Sequence, residues 1–229
     1  MRWPVIVAML LSAMWVSAAA SGSHGKVPTT INVLAEGDSI TVFGNVIATT
    51  TITSYAQFFA ASPTANTTLT DKALTGSTLQ SVTARGPADD FSIVPGALNI
   101  YTTLTGANDL DTYPGGTDAI AAANYESAIF ALAAARRAAG WKVCIVTILS
   151  VNDTAGNIRR NLINSVLRSA VGKQIDCVVD FAADPTMGTD SSCNNNPSDW
   201  FADCVHPTTI AHQTYLFPIY TTAITGAIP

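Results

Sequence analysis

The sequence predicts an α/β protein: a single three-layer α/β/α domain built on a five-stranded parallel sheet. Apolar runs of strand length alternate five times with segments of helical periodicity, which is typical of a doubly wound sheet. The run at residues 143–149 is almost continuously apolar, as expected for a strand buried on both faces of a parallel sheet. No internal repeat or linker divides the 229 residues, so we expect one domain.

The first 20 residues are expected to be a secretory signal peptide. Arg2 precedes a mostly apolar stretch from Val5 to Val16, and three alanines at residues 18–20 offer a cleavage site. An uncleaved membrane anchor is the alternative, but the apolar run is short for a spanning helix. Residues 21–30 are polar and rich in Gly and Ser, so we expect a flexible lead-in followed by the domain at residues 31–229. These features predict a secreted or extracytoplasmic protein without integral membrane association.

Five segments carry strand signals, each followed by a change of composition. The first breaks at Gly37, the second ends before Gly76, and the third ends before Gly106. The fourth is the buried run described above, and the fifth precedes a long polar loop. The predicted strands are residues 31–37, 67–74, 98–104, 143–149 and 176–181.

Five further segments have helical spacing of apolar residues. The second should stop before Gly86-Pro87, because proline breaks a helix interior, and the third should stop at Gly140. The predicted helices are residues 54–61, 79–85, 118–139, 155–171 and 208–222. The paired arginines Arg136-Arg137 and Arg159-Arg160 should lie on solvated helix faces.

Two segments are predicted to be loops. Residues 41–53 are Thr-rich without clear periodicity, and residues 182–206 are rich in Asn, Asp and Ser. A loop as long as the second is usually functional or tied down. Within it, we expect Trp200 and Phe201 to anchor the loop on the core, although they could also line a substrate pocket.

The charge of the protein limits the kinds of partner that it can bind. The net charge of −5 and the scattered Lys and Arg residues offer no basic surface for nucleic acid or anionic lipid.

The four cysteines favour two disulfides in an oxidising compartment, with three connectivities possible. Cys144 and Cys177 fall in apolar runs that look like neighbouring strands, whereas Cys193 and Cys204 flank one polar loop, so these pairs are favoured. Since no CxxC pair is present, a zinc site is the weaker reading, and we expect no metal.

Polar or small residues follow three predicted strands, where the ends of parallel strands share one edge. Ser39 follows the first strand, Gly76 the second and Asn108 the third. A serine hydroxyl is a weak nucleophile until a base takes its proton, and His206 is the best base available. Asp203 lies three residues earlier, so on a single turn its carboxylate can face the imidazole and orient it.

A tetrahedral intermediate also needs donors for its oxyanion. The backbone N–H of Ser39, the backbone at Gly76 and the side-chain amide of Asn108 are the candidates. By contrast His212, on the last predicted helix, should be packed or solvated.

Four sequence blocks resemble those of the SGNH, or GDSL-type, serine hydrolases, and they occur in that family's order across about residues 31–222. The blocks are Gly37-Asp38-Ser39-Ile40, Gly76, Gly106-Ala107-Asn108-Asp109 and Asp203-Cys204-Val205-His206. The resemblance implies a flavodoxin-like fold, with Ser39 as nucleophile, Gly76 and Asn108 in the oxyanion hole, and an Asp203–His206 pair. Family members hydrolyse short acyl esters, acetylated polysaccharides, lysophospholipids or thioesters. In such motifs Asp38 and Asp109 are expected to hold the loops rather than react.

The chain departs from related patterns at three places. Thr41 stands where the GxSxG elbow of the α/β-hydrolases has its second glycine. The stretch from Asp71 to Gly76 lacks an asparagine that many relatives have shortly before the glycine. Cys204 within the DxxH stretch indicates a pinned loop rather than a thiol nucleophile.

These observations predict a secreted serine esterase that forms an acyl-enzyme on Ser39 and needs no cofactor. Short-chain acyl or acetyl-carbohydrate esters, as small molecules or on a polysaccharide, are the favoured substrates, and we expect a monomer. A lysophospholipase or lipase with the same triad is one alternative. A catalytically silent, secreted carbohydrate-binding protein on the same fold is the other.

Overall fold

A parallel sheet of five strands forms the middle layer of the molecule. The computed structural model describes residues 30–47, 49–62, 66–110, 117–151, 153–190 and 200–228, so the predicted signal peptide lies outside the described residues. The strands are β1 (Ile31–Gly37), β2 (Asn45–Ile47), β3 (Thr50–Ile52), β4 (Thr67–Asp71), β5 (Leu98–Leu104), β6 (Lys142–Val146) and β7 (Cys177–Val179). The sheet order is β4–β1–β5–β6–β7, and every neighbouring pair is parallel. The carboxyl ends of these strands therefore share one edge.

Helices cover both faces of this sheet. They are α1 (Tyr55–Ala61), α2 (Leu79–Asp89), α3 (Asp118–Ala139), α4 (Thr154–Ser169), α5 (Thr209–Ala211) and α6 (Phe217–Gly226). Side chains alternate along a strand, so Val33 joins one core with α1 and α6, whereas Leu34 joins the other with α2, α3 and α4. The predicted three-layer α/β/α architecture with a five-stranded parallel sheet is confirmed.

Local signals account for several helix boundaries. Thr117 caps α3 by accepting from the backbone N–H of Ile120, and Gly140 ends it with a left-handed φ of 105°. Thr78 begins α2 with a capping box shared with Ser81. These short-range interactions explain why residues 118–139 were predicted correctly.

The prediction that α2 stops before Gly86-Pro87 is wrong, because the helix continues to Asp89. Proline removes one N–H from the helix, and the contact with α3 stabilises the turn that contains it. Arg136 Nη1 donates to the Gly86 carbonyl at 2.5 Å, and a Cβ at Gly86 would lie 1.9 Å from Arg136 Nη2. Glycine therefore admits the guanidinium that holds the last turn.

The prediction of solvated arginines is wrong for Arg136 and Arg160, which are 3% and 1% exposed. Arg136 also donates to Asp90 at 2.8 Å, and Arg160 donates to the Gly188 carbonyl at 2.8 Å and to Asp190 at 2.5 Å. A buried guanidinium is tolerated when its N–H groups have such acceptors.

Residues 41–53 were predicted as a loop, yet they contain an antiparallel hairpin. Strands β2 and β3 pair with Asn45 opposite Ile52. The three-residue strands are too short to show a period-2 pattern, so the sequence carried no clear signal. The closing segment is helical as predicted, but its middle turn, residues 212–216, is π-helical between α5 and α6.

One predicted disulfide is present. Cys144 and Cys177 lie directly opposite each other on β6 and β7, with their Cα atoms 4.5 Å apart. Cys193 lies outside the described residues, so its pairing with Cys204 stays a prediction.

Within the described ranges, no helix has the length and apolar character needed to cross a membrane.

Candidate active site

The turn after β1 presents Ser39 at the carboxyl edge of the sheet. Gly37 has a φ of 147°, and a Cβ there would lie 2.6 Å from the carbonyl oxygen of Leu104, so only glycine fits beside β5. The backbone N–H of Asp38 donates to that same carbonyl at 3.1 Å. The Asp38 carboxylate accepts from the N–H of Ile40 at 3.0 Å, which closes the turn around the serine.

Ser39, His206 and Asp203 form a continuous hydrogen-bonded set. Ser39 Oγ lies 2.7 Å from His206 Nε2. His206 Nδ1 lies 2.8 Å from Asp203 Oδ2 and 3.0 Å from Oδ1. The nucleophile and base candidates therefore meet across 167 residues of sequence, in the order that acyl transfer requires.

The segment that carries His206 closes on itself and is anchored on the core by Phe201. The N–H of Ala202 donates to the His206 carbonyl at 2.8 Å, and the N–H of Thr208 donates to the Trp200 carbonyl at 2.8 Å. Phe201 is fully buried between these bonds, which confirms its predicted anchoring role. Cys204 takes a left-handed φ of 65°, which tightens the turn between Asp203 and His206.

Hydrogen bonds keep the Asp203 carboxylate ionised. Partial burial by itself raises the pKa of Asp203. Interactions with the backbone N–H and ring of His206, and with the backbone N–H of Val205, outweigh this effect of burial, so the pKa lies below its ordinary value. An ionised carboxylate at Nδ1 can stabilise an imidazolium.

Gly76 lies in a turn beside the nucleophile. The N–H of Leu74 donates to the Gly37 carbonyl at 3.1 Å, and the N–H of Ser77 closes the turn on the Leu74 carbonyl at 3.0 Å. Gly76 has a φ of 76°, as the third residue of a type II turn requires. No heavy atom lies within 4 Å of where its Cβ would be, so a substrate could approach this backbone.

Asn108 contacts the same turn from the loop after β5. Its Nδ2 donates to the Ser77 carbonyl at 3.0 Å, which fixes the plane of the amide. The next residue, Asp109, accepts from the N–H of Leu79 at 3.0 Å. The structure thus brings the three predicted oxyanion donors onto adjacent turns of one edge.

The two aspartates of the motifs hold loops, in line with the sequence-based expectation. Burial, with the nearby charge of Asp109, raises the pKa of Asp38 to about 7, and its bond from Ile40 opposes the shift only in part. Burial likewise raises the pKa of Asp109 to about 6. Both carboxyls accept backbone N–H groups of the turns they support.

Sequence reasoning missed two side chains that support the site. Asp71, at the end of β4, accepts from the backbone N–H groups of Phe43 at 2.7 Å and Ala73 at 2.9 Å. Asn45 on β2 donates to the Ser39 carbonyl at 3.0 Å. Asp71 begins the stretch before Gly76 that lacks the expected asparagine, but nothing in the sequence indicated its partner, and Asn45 lay in a segment predicted as loop.

His212 lies outside the triad, as predicted. It is buried beneath α1, and its Nδ1 accepts from the N–H of Tyr55 at 3.2 Å. Burial, with a smaller contribution from the charge of His206, lowers the pKa of His212 to about 3, so its ring stays neutral.

In the part of the chain that the structure describes, no group of three His, Cys, Asp or Glu side chains could hold a metal ion.

An open cleft of about 280 Å³ borders the candidate site. Asn108 and Val205, which lies between Asp203 and His206 in the sequence, both line it. The described residues that line the cleft are Ala107, Asn108, Leu110, Val151, Asp153, Gly156 and Val205.

Comparison with solved structures finds the same fold in several hydrolases. An α/β hydrolase from the metagenome of Lake Arreo is 20% identical, with a TM-score of 0.62, covering 89% of this chain and 100% of its own. A GDSL-like lipase from Bacteroides thetaiotaomicron is 17% identical, with a TM-score of 0.61 and coverages of 86% and 89%. A catalytic mutant of an acetylxylan esterase from Geobacillus stearothermophilus is 16% identical, with a TM-score of 0.63 and coverages of 87% and 96%.

Sequence comparison assigns the family. A search of curated proteins found no match to this chain. The model of the GDSL-like lipase/acylhydrolase family matches residues 35–214, which include the turn of Ser39 and the segment of His206. The chain therefore belongs to the GDSL-like lipase/acylhydrolase family.

Proposed function

We propose that this protein is a serine esterase that hydrolyses carboxylic esters through an acyl-enzyme on Ser39. The observation that carries the proposal is the contact of 2.7 Å between Ser39 Oγ and His206 Nε2, with Asp203 on the other ring nitrogen. Membership of an esterase and lipase family supports the reaction class.

The first half-reaction forms the acyl-enzyme. His206 Nε2 takes the proton of Ser39 Oγ as the oxygen attacks the ester carbonyl carbon, and Asp203 stabilises the resulting imidazolium. The tetrahedral intermediate then collapses: the bond from carbon to the leaving oxygen breaks, and His206 gives its proton to that oxygen. An alcohol leaves, and the acyl group remains on Ser39.

The second half-reaction returns the enzyme to its starting state. His206 takes a proton from a water molecule, whose oxygen attacks the acyl carbon. Collapse of this second intermediate breaks the bond to Ser39 Oγ, which recovers the proton from His206, and the carboxylic acid is released. In both halves the N–H groups of Ser39 and Gly76 and the amide of Asn108 bind the oxyanion; losing one such donor raises the barrier by about 3–4 kcal/mol.

Short-chain acyl esters or acetylated carbohydrates are the substrates that we propose. The cleft of about 280 Å³ beside Asn108 is open and has both apolar and polar walls, which suits a small acyl group on a polar alcohol. The acetylxylan esterase from Geobacillus stearothermophilus shares the fold. A series of p-nitrophenyl esters from acetyl to palmitoyl tests this choice, since a lipase or lysophospholipase would favour the long chains.

Export from the cell is part of the proposal. The N-terminal 20 residues have the composition of a signal peptide, and the Cys144–Cys177 disulfide is of a kind that persists in oxidising compartments. N-terminal sequencing of the protein recovered from the medium of a secreting host would test it, with a start near residue 21 expected.

The decisive experiment replaces the nucleophile. Ser39→Ala should abolish p-nitrophenyl acetate hydrolysis and labelling by a fluorophosphonate probe, with an unchanged thermal unfolding midpoint. Ser169→Ala is the matched control, because among the described residues the Ser169 hydroxyl bonds only carbonyls of its own helix. Full activity in the Ser39 variant would refute the assignment, and a folded wild-type protein that neither hydrolyses esters nor reacts with the probe would favour the silent binding protein.

A further inference from the structure

Asn45 joins two turns of the candidate site. Its side chain is only 9% exposed and is bonded at both ends. Nδ2 donates to the carbonyl oxygen of Ser39 at 3.0 Å, and Oδ1 accepts from Thr75 Oγ1 at 3.1 Å. One amide thus links the turn of the nucleophile to the turn of Gly76.

These bonds extend to the third oxyanion candidate. Thr75 immediately precedes Gly76, and Ser77, which follows it, accepts from Asn108 Nδ2 at 3.0 Å. A continuous path therefore runs from Ser39 through Asn45 and the Gly76 turn to Asn108.

The backbone around Asn45 is itself anchored, so its side chain has a fixed origin. The N–H of Phe43 donates to Asp71 at 2.7 Å, and the N–H of Gly44 donates to Gln57 at 3.2 Å. Asn45 pairs with Ile52 in the hairpin of β2 and β3. The hairpin thereby holds the amide against the site.

We propose that Asn45 is a positioning residue that sets the oxyanion donors relative to one another; the inference rests on the proposed esterase function. The bond from Asn45 restrains the backbone on the carboxyl side of Ser39, as the bond from Asp38 to Leu104 does on the amino side. Oxyanion donors act only when preorganised, and a misplacement of about 1 Å can cost on the order of 100-fold in rate.

The test is Asn45→Ala, with active sites counted by fluorophosphonate titration. Per titrated site, kcat for p-nitrophenyl acetate should fall about 10- to 100-fold while KM changes less than about twofold, because the donors act on the transition state. The inhibition constant of phenylboronic acid, which forms a tetrahedral adduct with the serine, should rise by the same factor as kcat/KM falls. The pH profile should keep its shape, since the contacts of His206 are untouched.

Thr75→Val isolates one of the two bonds. This variant should also lower kcat, but by less than Asn45→Ala does, because the bond from Asn45 to Ser39 remains. If Thr75 acts through Asn45, the double variant Asn45→Ala/Thr75→Val should be no slower than Asn45→Ala alone. Multiplicative losses would contradict the coupling.

Asn99→Ala is the matched control for a buried amide. Asn99 is also 9% exposed and holds backbone groups of Val94 and Ala97, but it lies at the amino end of β5, away from the site. It should lower the thermal unfolding midpoint and leave kcat per titrated site unchanged.

The outcomes separate this inference from the proposed function. If the wild-type protein is active but Asn45→Ala loses only titratable sites, or raises KM with kcat intact, Asn45 is structural and the inference fails. A boronate constant that does not change would overturn it equally. If the wild-type protein itself neither turns over esters nor takes the probe, the proposed function fails first.

Discussion

The two turns that meet at the active site are built differently. The nucleophile turn at residues 37–41 is buried, and backbone bonds and a glycine lock it against β5. The base turn at residues 203–206 lies nearer the surface, with the side chains of Asp203 and His206 42% and 19% exposed. The buried turn supplies rigidity, whereas the exposed turn supplies a base that stays in contact with solvent protons.

The same difference separates the two aspartates of these turns. Burial, assisted by the charge of Asp109, raises the pKa of Asp38 to about 7, whereas hydrogen bonds from His206 outweigh burial and lower the pKa of Asp203. Only the second therefore suits an imidazolium partner. Apart from Ser39 itself, substitutions in the nucleophile turn should therefore cost stability, whereas substitutions in the base turn should cost activity.

The largest effect is expected for His206→Ala. Without the base, kcat for p-nitrophenyl acetate should fall by about 10⁴-fold or more. The thermal unfolding midpoint should change little, because the imidazole bonds only to Asp203 and Ser39 among the described residues. Kinetics and calorimetry on the same preparation measure the loss of kcat and the unfolding midpoint. A variant that retains activity would contradict the role of the base turn in catalysis.

Gly37→Ala should act in the opposite way, on stability. The added Cβ would lie 2.6 Å from the Leu104 carbonyl oxygen and 2.7 Å from Thr41 Oγ1, at a φ of 147°. We expect the free energy of unfolding in urea to fall by about 2–4 kcal/mol. Gly172→Ala is the control, since Gly172 also has a positive φ, 75°, but open space around it, and should cost about 1 kcal/mol. Equal losses would show that the close approach to β5 is not what requires glycine.

The third contrast concerns the pH dependence of stability. A raised pKa in the folded state means that Asp38 contributes stability that is complete below pH 3.8 and is lost as pH rises through about 7. Asp38→Asn should therefore flatten the decline of unfolding free energy between pH 4 and 7, by about 4 kcal/mol at most at 1.36 kcal/mol per pKa unit. Asp203→Asn should remove a dependence of opposite sign, because a lowered pKa gives stability that is lost as pH falls. Urea titrations across this pH range test both, and the same sign in the two variants would refute the contrast.

Much of the site was predictable because its chemistry is local. Asp203 and His206 are three residues apart, so one turn pairs them, and the small residues after each strand had to meet at one edge of a parallel sheet. The supports were not predictable: Asn45 bonds Thr75 across 30 residues, and Asp71 bonds Phe43 across 28. No pattern of hydrophobicity records such pairs.

The same distinction holds for the fold. Alternating apolar runs, the cap at Thr117 and the stop at Gly140 act within a few residues, so the sequence by itself determined the succession of the five sheet strands and their helices along the chain, the three layers and the extent of α3. Tertiary contacts alone decided that α2 passes Pro87, because the guanidinium that holds its last turn comes from Arg136 on another helix. They also decided the depth of Arg160 and the hairpin that carries Asn45. Periodicity reports which side of an element is buried, whereas the partners of a buried polar group are known only once distant segments are packed together.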